Sequence, residues 1–249
     1  MWLLLDIGNT RFKAVCYDGM AFHDQQSSSY QATGIAESLY PLRCLKPDAV
    51  YVANVAGDAI EAAVQAWSMT SFGLVPHFVH SQSSFLGLHN AYTDPQKLGV
   101  DRWLAMLAAK QVYAGPVCVA DCGSALTIDL VSEYGRHLGG MILPGIEMQH
   151  HLFKTKLPQL EYQLPSLGSL PSWGRNTDEC VGVGMASGLC GAIELAMRHA
   201  ELSATGVRLI MTGGDAPQLA ARLSIPYDYH EHLVLDGLGL LARHLEGGC

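Results

Sequence analysis

The chain has 249 residues, 49% of them hydrophobic and 15% charged, so it is long enough to bury a large core in one or two globular domains. Its net charge of -8 and the lack of a dense Lys/Arg run argue against a nucleic-acid partner. The N-terminal apolar run has no basic segment before it, and no uninterrupted apolar stretch is long enough to cross a bilayer. We therefore expect a cytoplasmic protein with no membrane partner.

The cysteines and histidines do not form a metal-binding pattern. The 7 cysteines are odd in number and contain no Cys-x-x-Cys pair, which fits reduced thiols in the cytosol. Cys118 and Cys122 are better interpreted as packing residues than as zinc ligands. The histidines show no His-Glu-x-x-His spacing, and the sequence assigns no role to the neighbouring His150 and His151.

The first predicted element is a hairpin in which an apolar run ends in a carboxylate and a tight turn, Leu3-Leu4-Leu5-Asp6-Ile7-Gly8-Asn9-Thr10-Arg11. Gly8 can adopt backbone angles that are closed to other residues. Asn9, Thr10 and Arg11 would donate hydrogen bonds to a phosphate. Asp6 would hold a magnesium ion, directly or through its waters. The same sequence is also typical of an ordinary hairpin turn, so this stretch alone leaves both interpretations open.

Strands and helices alternate through the rest of the first half, as in an α/β domain. We predict a strand over 21–26, a helix over 34–44, a strand over 49–55, a helix capped by Asp58 and a strand over 76–80. A loop over 81–95 contains Tyr92. The helix that follows carries Asp101 in its early turns, where the helix dipole favours the ionised carboxylate and makes it available to accept a proton. Simple pairing with Arg102 at the helix start is the alternative.

The hairpin recurs at the start of the second half, in Val117-Cys118-Val119-Ala120-Asp121-Cys122-Gly123-Ser124-Ala125-Leu126-Thr127-Ile128-Asp129. Internal repetition of this kind indicates two related domains. We place them at 1–115 and 116–249, with Gly115-Pro116 at the boundary, and expect each domain to present one hairpin to a shared cleft.

The rest of the second half continues the α/β pattern. We predict a strand over 138–143, a helix over 146–156, an excursion over 157–172, a long helix from about 177 to 200 and a closing helix over 233–245. A buried strand from Val207 runs into Gly213 and Gly214, where bare backbone would let a flat ring or a phosphate lie close.

Five motifs in order, covering nearly the whole chain, resemble the type III pantothenate kinase family of the acetate and sugar kinase, heat-shock protein and actin superfamily. The motifs are Asp6–Thr10, Gly99–Arg102, Asp121–Ala125, Gly139–Gly145 and Thr212–Gly214. The resemblance implies an α/β fold of two duplicated ribonuclease H-like (actin-like ATPase) lobes, each a mixed sheet flanked by helices, with the nucleotide cleft between them. It also implies ATP-dependent phosphorylation of pantothenate to 4'-phosphopantothenate, the first step of coenzyme A biosynthesis, by a homodimer.

The resemblance also implies a role for each motif residue. Asp101 would be the catalytic base that accepts the proton of the pantothenate hydroxyl. ATP would bind Asp6, Ile7, Gly8, Asn9, Thr10, Arg11, Phe12, Lys13, Ser124, Gly213 and Gly214, with Mg²⁺ at Asp6. Pantothenate would bind Tyr92, Gly99, Val100, Asp101, Arg102 and Thr177. Asp121 would hold a monovalent cation, K⁺ or NH₄⁺, although a magnesium or hairpin-stabilising role stays open.

Three other functions fit the same motifs. The chain could phosphorylate a sugar or a short carboxylic acid, or act as a nucleotide-binding regulatory or accessory protein of the same fold without kinase activity. The joint presence of Asp6, Asp101 and Asp121 disfavours the regulatory protein, because a non-catalytic sensor needs no base. A switch that resembles the heat-shock proteins is disfavoured by the small size of the chain.

Overall fold

The computed structural model describes residues 1–247, and the chain divides into two compact units. The first unit contains residues 1–85, 92–108 and the chain from 233 onward. The second contains residues 86–91 and 109–232. Helices and strands are numbered below in chain order.

The first unit is built on a five-stranded mixed sheet with the order β3-β2-β1-β4-β5. Its strands are β1 (Trp2–Ile7), β2 (Arg11–Tyr17), β3 (Phe22–Ser29), β4 (Ala49–Asn54) and β5 (His77–Val79). The central strand β1 pairs antiparallel with β2 and parallel with β4. Leu3, Leu4 and Leu5 of β1 are fully buried, as expected for a strand covered on both faces.

The helices of the first unit are α1 (Ile35–Ser38), α2 (Asp58–Phe72), most of α3 (Val100–Val112), whose residues 109–112 belong to the second unit, and the C-terminal α7 (Leu233–Leu245). The predicted helix over 34–44 is split, since α1 is followed by a separate 3₁₀ turn over Tyr40–Cys44. Pro41 at the start of that turn has no N–H to continue an α-helix. The cap of α2 is Gly57, at φ 90°, rather than the expected Asp58, which is the first helical residue.

The second unit repeats the first sheet. Its five strands have the order β10-β9-β8-β11-β12, with β8 (Val117–Cys122), β9 (Ala125–Val131), β10 (His137–Pro144), β11 (Arg208–Thr212) and β12 (Asp228–Tyr229). In both sheets the first three strands pair antiparallel and the last two pairings are parallel. This confirms the predicted α/β fold of two duplicated mixed sheets. A separate pair, β6 (Ser84–Phe85) and β7 (Leu88–His89), lies in the stretch predicted as a loop.

The helices of the second unit are α4 (Ile146–Lys156), α5 (Thr177–Ser203) and α6 (Ala216–Ala220). By length and composition α5 could cross a membrane, which the sequence analysis did not anticipate. Its apolar face forms part of the core of the second unit, where Met185, Leu189 and Ile193 are buried against the sheet strands β8 and β9. Such a core helix passes the same length and composition test as a membrane span.

The C-terminal helix differs from the expected division of the chain at residue 115. The sequence analysis placed residues 233–245 with the second domain, but α7 packs on β1 and β4 of the first unit. Two glycines of α7 allow this close packing, Gly237 against the backbone of Leu104 and Gly239 against the ring of Tyr17. The last two residues, including Cys249, lie outside the described part of the chain.

Candidate active site

The first Asp-x-Gly turn joins β1 to β2 at the carboxyl end of the central strand. Asp6 lies opposite Lys13 of β2 and beside Ala53 of the parallel strand β4. The Gly8 N–H donates to the Arg11 carbonyl oxygen at 3.0 Å and closes the turn. The carboxylate therefore sits where antiparallel and parallel pairing meet, the position at which open α/β sheets commonly bind ligands.

Tyr30 fixes this turn from the end of β3. Its hydroxyl donates to the Gly8 carbonyl oxygen, and its N–H donates to the Thr10 carbonyl oxygen at 3.3 Å. Burial raises the pKa of the Tyr30 hydroxyl, so the neutral donor persists at neutral pH. Two of the turn carbonyls, those of Gly8 and Thr10, are thus held by hydrogen bonds from Tyr30.

A second group of predicted residues meets at the start of α3. One guanidinium nitrogen of Arg102 donates to the Tyr92 hydroxyl at 3.1 Å, and the guanidinium carbon lies 5.8 Å from the centre of the Tyr92 ring. Arg102 is only 6% exposed, so its orientation is fixed by packing. The Asp101 carboxylate accepts from the Arg102 N–H at 2.7 Å.

Gly99 leaves the space that the Asp101 side chain occupies. A Cβ added at Gly99 would lie 2.6 Å from Oδ1 of Asp101, closer than real Cβ contacts. Val100 is buried and anchors the same turn in the core. The predicted acceptor residues of the first unit are therefore brought together within one helical turn and Tyr92.

The second Asp-x-Gly turn joins β8 to β9 in the same way. Asp121 lies opposite Thr127 of β9 and beside Thr212 of the parallel strand β11. It is the penultimate residue of its strand, as Asp6 is of β1. The turn is closed by the Gly123 N–H, which donates to the Ala125 carbonyl oxygen at 3.1 Å.

The Gly213-Gly214 turn packs directly on the end of β8. Gly213 has φ 92°, and a Cβ there would lie 2.5 Å from both Oδ1 of Asp121 and the Cys122 carbonyl oxygen. The Asp215 N–H donates to that same carbonyl oxygen at 2.9 Å. Gly214, by contrast, has open space around the Cβ position among the described residues. The glycine turn and the Asp121 hairpin therefore form one structural feature.

Ser124 lies next to the start of α4. The Gly145 N–H donates to the Ser124 carbonyl oxygen at 3.0 Å, and a Cβ at Gly145 would lie 2.6 Å from that oxygen. Only glycine permits the first turn of this 11-residue helix to begin beside the hairpin. Unpaired N–H groups at a helix start attract anions, although Glu147 in the same turn opposes that effect here.

Two further carboxyl groups, those of Asp215 and Glu147, lie near the Asp121 turn. Burial, and then the charge of Glu147, raises the pKa of the Asp215 carboxyl. Burial, and then the charges of Asp121 and Asp215, raises the pKa of the Cys122 thiol, while burial raises that of Cys118 to about 12. Both thiols are neutral at physiological pH and serve as packing residues.

Thr177 is the first residue of α5 and lies in an open groove of about 670 Å³. The helix start is capped, because the Asn176 side chain accepts from the Glu179 N–H at 3.0 Å, and the Glu179 carboxylate reaches back to accept from the Arg175 N–H at 2.7 Å. Phe153, Val181 and Met185 give the groove an apolar floor. The structure describes Thr177 in the second unit, and Tyr92, Asp101 and Arg102 in the first.

The chain is similar to known proteins over nearly its whole length. A model of the type III pantothenate kinase family matches residues 2–199. The chain belongs to the type III pantothenate kinase family. The type III pantothenate kinase of Nitrosococcus oceani is 31% identical over 98% of this chain and 94% of its own length. That of Alcanivorax borkumensis is 34% identical over 97% of this chain and 98% of its own.

Solved structures share the fold. A Campylobacter jejuni protein named as a Baf family transcriptional activator has a TM-score of 0.63 at 24% identity, covering 98% of each chain. A ROK family glucokinase from Streptomyces griseus, solved with glucose and AMPPNP, has a TM-score of 0.53 at 12% identity, covering 97% of this chain and 99% of its own. At these identities the likeness supports the fold alone.

The residues predicted to bind ATP differ in the groups that they can present to a ligand. Ile7 and Phe12 are buried in the core and can contribute only backbone groups, whereas Asn9 and Arg11 are exposed. In the described residues no group of three or more His, Cys, Asp or Glu side chains is arranged to hold a metal ion. A single carboxylate such as Asp6 still fits Mg²⁺, which is usually held by one or two carboxylates together with phosphate and water.

Three residues that shape the site were not predicted. Tyr30 lies between the strand predicted over 21–26 and the helix predicted over 34–44, Gly145 ended a motif but was given no role, and Asp215, after the glycine pair, was not assigned. His150, to which no role was assigned from the sequence, pairs through Nδ1 with the Tyr162 hydroxyl at 2.8 Å and anchors the excursion before α5. Of these three residues, only Gly145 lies within one of the five sequence motifs, so only its importance could have been inferred from the sequence.

Proposed function

We propose that this chain transfers the γ-phosphoryl group of ATP to the primary hydroxyl of pantothenate, forming 4'-phosphopantothenate in the cytoplasm for coenzyme A synthesis. The observation that carries the proposal is the group at the start of α3, where Asp101 stands beside a buried Arg102 that Tyr92 orients. This group supplies a base and a carboxylate-binding guanidinium within one helical turn, which suits a substrate with both a hydroxyl and a carboxylate.

The acceptor residues would act as follows. Asp101 accepts the proton of the attacking hydroxyl, a role favoured by its place in the first turn of α3, where the ionised form is stabilised. Arg102 pairs with the pantothenate carboxylate in a two-point contact, and the hydrogen bond to Tyr92 holds the guanidinium in the required orientation. Gly99 and Val100 would shape the rest of the pocket in the first unit, and the family resemblance implies Thr177 as a further pantothenate contact.

The donor residues would act on the ATP phosphates and adenosine. The N–H groups and side chains of residues 8–11 and the ammonium of Lys13 would hold the phosphates, since phosphoryl transfer depends on positioning and charge neutralisation. Asp6 would hold Mg²⁺, which neutralises charge on the transferring phosphoryl group when bound. Ser124 would donate its hydroxyl to phosphate, and Gly213 with Gly214 would face the adenosine.

Asp121 would hold a monovalent cation, K⁺ or NH₄⁺. Its single carboxylate balances one such charge, and the nearby carboxyls of Asp215 and Glu147 make the surroundings favourable to a cation. The resulting expectation is activity that depends on potassium.

The second unit has the surface expected of a homodimer. Leu138 and Ile142 on β10, Met148 and Leu152 on α4, and the 84% exposed Trp173 leave apolar side chains at the surface. Gly184, Gly188 and Gly191 lie along one exposed side of α5, with no described atom of the chain within 4 Å of their Cβ positions. Sedimentation should give twice the chain mass, and a fully active monomer would contradict the dimer.

The experiment that tests the function is an assay of ADP release with pantothenate and ATP, with and without potassium in a sodium buffer. Pantothenate should be the good acceptor in a panel that includes sugars and short carboxylic acids, and potassium should raise the rate. Turnover of a sugar instead would assign a different kinase. ATP binding without turnover of any acceptor would favour the nucleotide-binding regulatory protein.

A further inference from the structure

The C-terminal helix α7 contacts the elements that carry both parts of the proposed site in the first unit. It packs on β1, the strand that bears Asp6, and on β4. Gly239 faces β2, because a Cβ there would lie 3.1 Å from the ring of Tyr17. Gly237 faces α3 at Leu104. Gly237 and Gly239 are two residues apart and therefore lie on opposite sides of the helix. It follows that α7 lies between the sheet and α3.

The contact at Gly237 is between two backbones. A Cβ added there would lie 2.1 Å from the Leu104 carbonyl oxygen and 2.7 Å from its carbonyl carbon. Cβ atoms do not approach other atoms this closely, and a backbone carbonyl within a helix cannot rotate away as a side chain can. Leu104 follows Asp101 by three residues, which is nearly one helical turn. Because Gly237 has no side chain, α3, the helix that carries Asp101, can pack this closely on α7.

We propose that Gly237 is a positioning residue for phosphoryl transfer, because it fixes α3, and with it Asp101 and Arg102, relative to the β1–β2 turn. This inference rests on the proposed function. A side chain at 237 would move α3 away from α7 by roughly an ångström before the contact becomes normal. A displacement of that size in a catalytic group costs about 10²-fold in rate.

The test compares two variants of the same helix, Gly237→Ala and Gly239→Ala. Both replace a helical glycine, so both gain the same helix propensity. Alanine at 239 meets only a tyrosine ring edge at 3.1 Å, which can yield, and kcat should stay within about threefold of wild type. Alanine at 237 should lower kcat about 10- to 100-fold while the KM for ATP changes little, because the β1–β2 turn is not displaced. If Gly237 had only a structural role, Gly237→Ala would lower stability but would not lower kcat while leaving the KM for ATP unchanged.

A second pair keeps the test decisive if Gly237→Ala does not fold. Leu241 follows Gly237 by one turn and shares its side of α7, whereas Leu235 precedes Gly239 by one turn and shares the other side. Both leucines are buried, so both alanine variants create a cavity of similar size. Leu241→Ala should lower kcat at least fivefold more than Leu235→Ala.

Hydrogen exchange of the amides at 101–105 gives a readout that needs no activity. Gly237→Ala should speed exchange there more than Gly239→Ala does. The inference is overturned if kcat and exchange in Gly237→Ala match those of Gly239→Ala, or, where only the leucine variants fold, if those two lose kcat equally. If the wild type fails to phosphorylate pantothenate but the exchange difference is found, the proposed function fails and the packing role of Gly237 stands.

Discussion

The neighbouring glycines Gly213 and Gly214 allow the proposed adenosine turn to be tested by two substitutions one residue apart. Gly213 has φ 92° and no room for a Cβ, because the Asp121 carboxylate and the Cys122 carbonyl lie 2.5 Å from where it would be. Gly214 has room for a Cβ among the described residues. Alanine at 213 therefore clashes with the protein itself, whereas alanine at 214 would clash only with a ligand lying on the turn.

The magnitudes follow from these contacts. For Gly213→Ala, left-handed backbone costs about 1–2 kcal/mol and overpacking about 1–3 kcal/mol, offset by about 0.4–1 kcal/mol of lost unfolded-state entropy. The net loss is about 1–5 kcal/mol, or roughly 2–20 °C in melting temperature for a chain of this length. Gly214→Ala should leave the melting temperature unchanged or raise it slightly.

The assay pairs thermal unfolding with the KM for ATP in the ADP-release measurement. Both variants should raise the KM for ATP, Gly213→Ala because the turn shifts and Gly214→Ala because the added methyl meets the nucleotide, by at least fivefold, or about 1 kcal/mol. The KM for pantothenate should stay the same in both. If Gly214→Ala keeps the wild-type KM for ATP, no nucleotide lies against that backbone, and the assignment of the turn to adenosine is wrong.

Three further predictions concern single carboxylates and one arginine. Asp101→Asn should lower kcat about 10²- to 10⁴-fold while circular dichroism and ATP binding stay normal, and near-normal turnover would remove Asp101 as the base. Arg102→Lys keeps the charge but loses the fork oriented by Tyr92, so the KM for pantothenate should rise about 10- to 100-fold with little change in the KM for ATP. Asp215→Asn should raise the melting temperature by about 1–3 °C at pH 7 but not below about pH 3.5, because a raised pKa penalises the charged form only above the unfolded pKa of about 3.9. Equal gains at both pH values would contradict this origin.

The sequence predicted the elements whose signals are local. Each Asp-x-Gly turn combines an apolar strand, a carboxylate and a glycine within ten residues, and the structure has both hairpins on the central strands of equivalent sheets. The helix over 146–156 and the closing helix over 233–245 have the predicted bounds, because their ends coincide with glycine or a change in apolar periodicity. The prediction of one continuous helix over 34–44 was wrong, because Pro41 interrupts the helix that the apolar pattern predicts.

Contacts between residues far apart in the chain were not predictable. Tyr30 holds the Gly8 carbonyl across 22 residues, and nothing in the polar stretch around it indicates that partner. The packing of Gly237 on Leu104 spans most of the chain, and a glycine inside an apolar helix fits several uses. The same reason explains the assignment of the last helix to the wrong half, since helical periodicity reveals an apolar face but not what covers it.

The duplicated hairpins differ in charge, and this difference bears on the two roles proposed for them. The first turn spans residues 8–11 between paired strand residues and carries Arg11, with Lys13 opposite Asp6. The second spans only 123–125, and its aspartate lies near Asp215, whose carboxyl pKa is raised by burial and then by the charge of Glu147. A phosphate is favoured where cationic side chains offset its charge, and a cation where carboxylates accumulate. This difference in charge supports the proposal that the first turn binds the nucleotide phosphates and the second turn a cation.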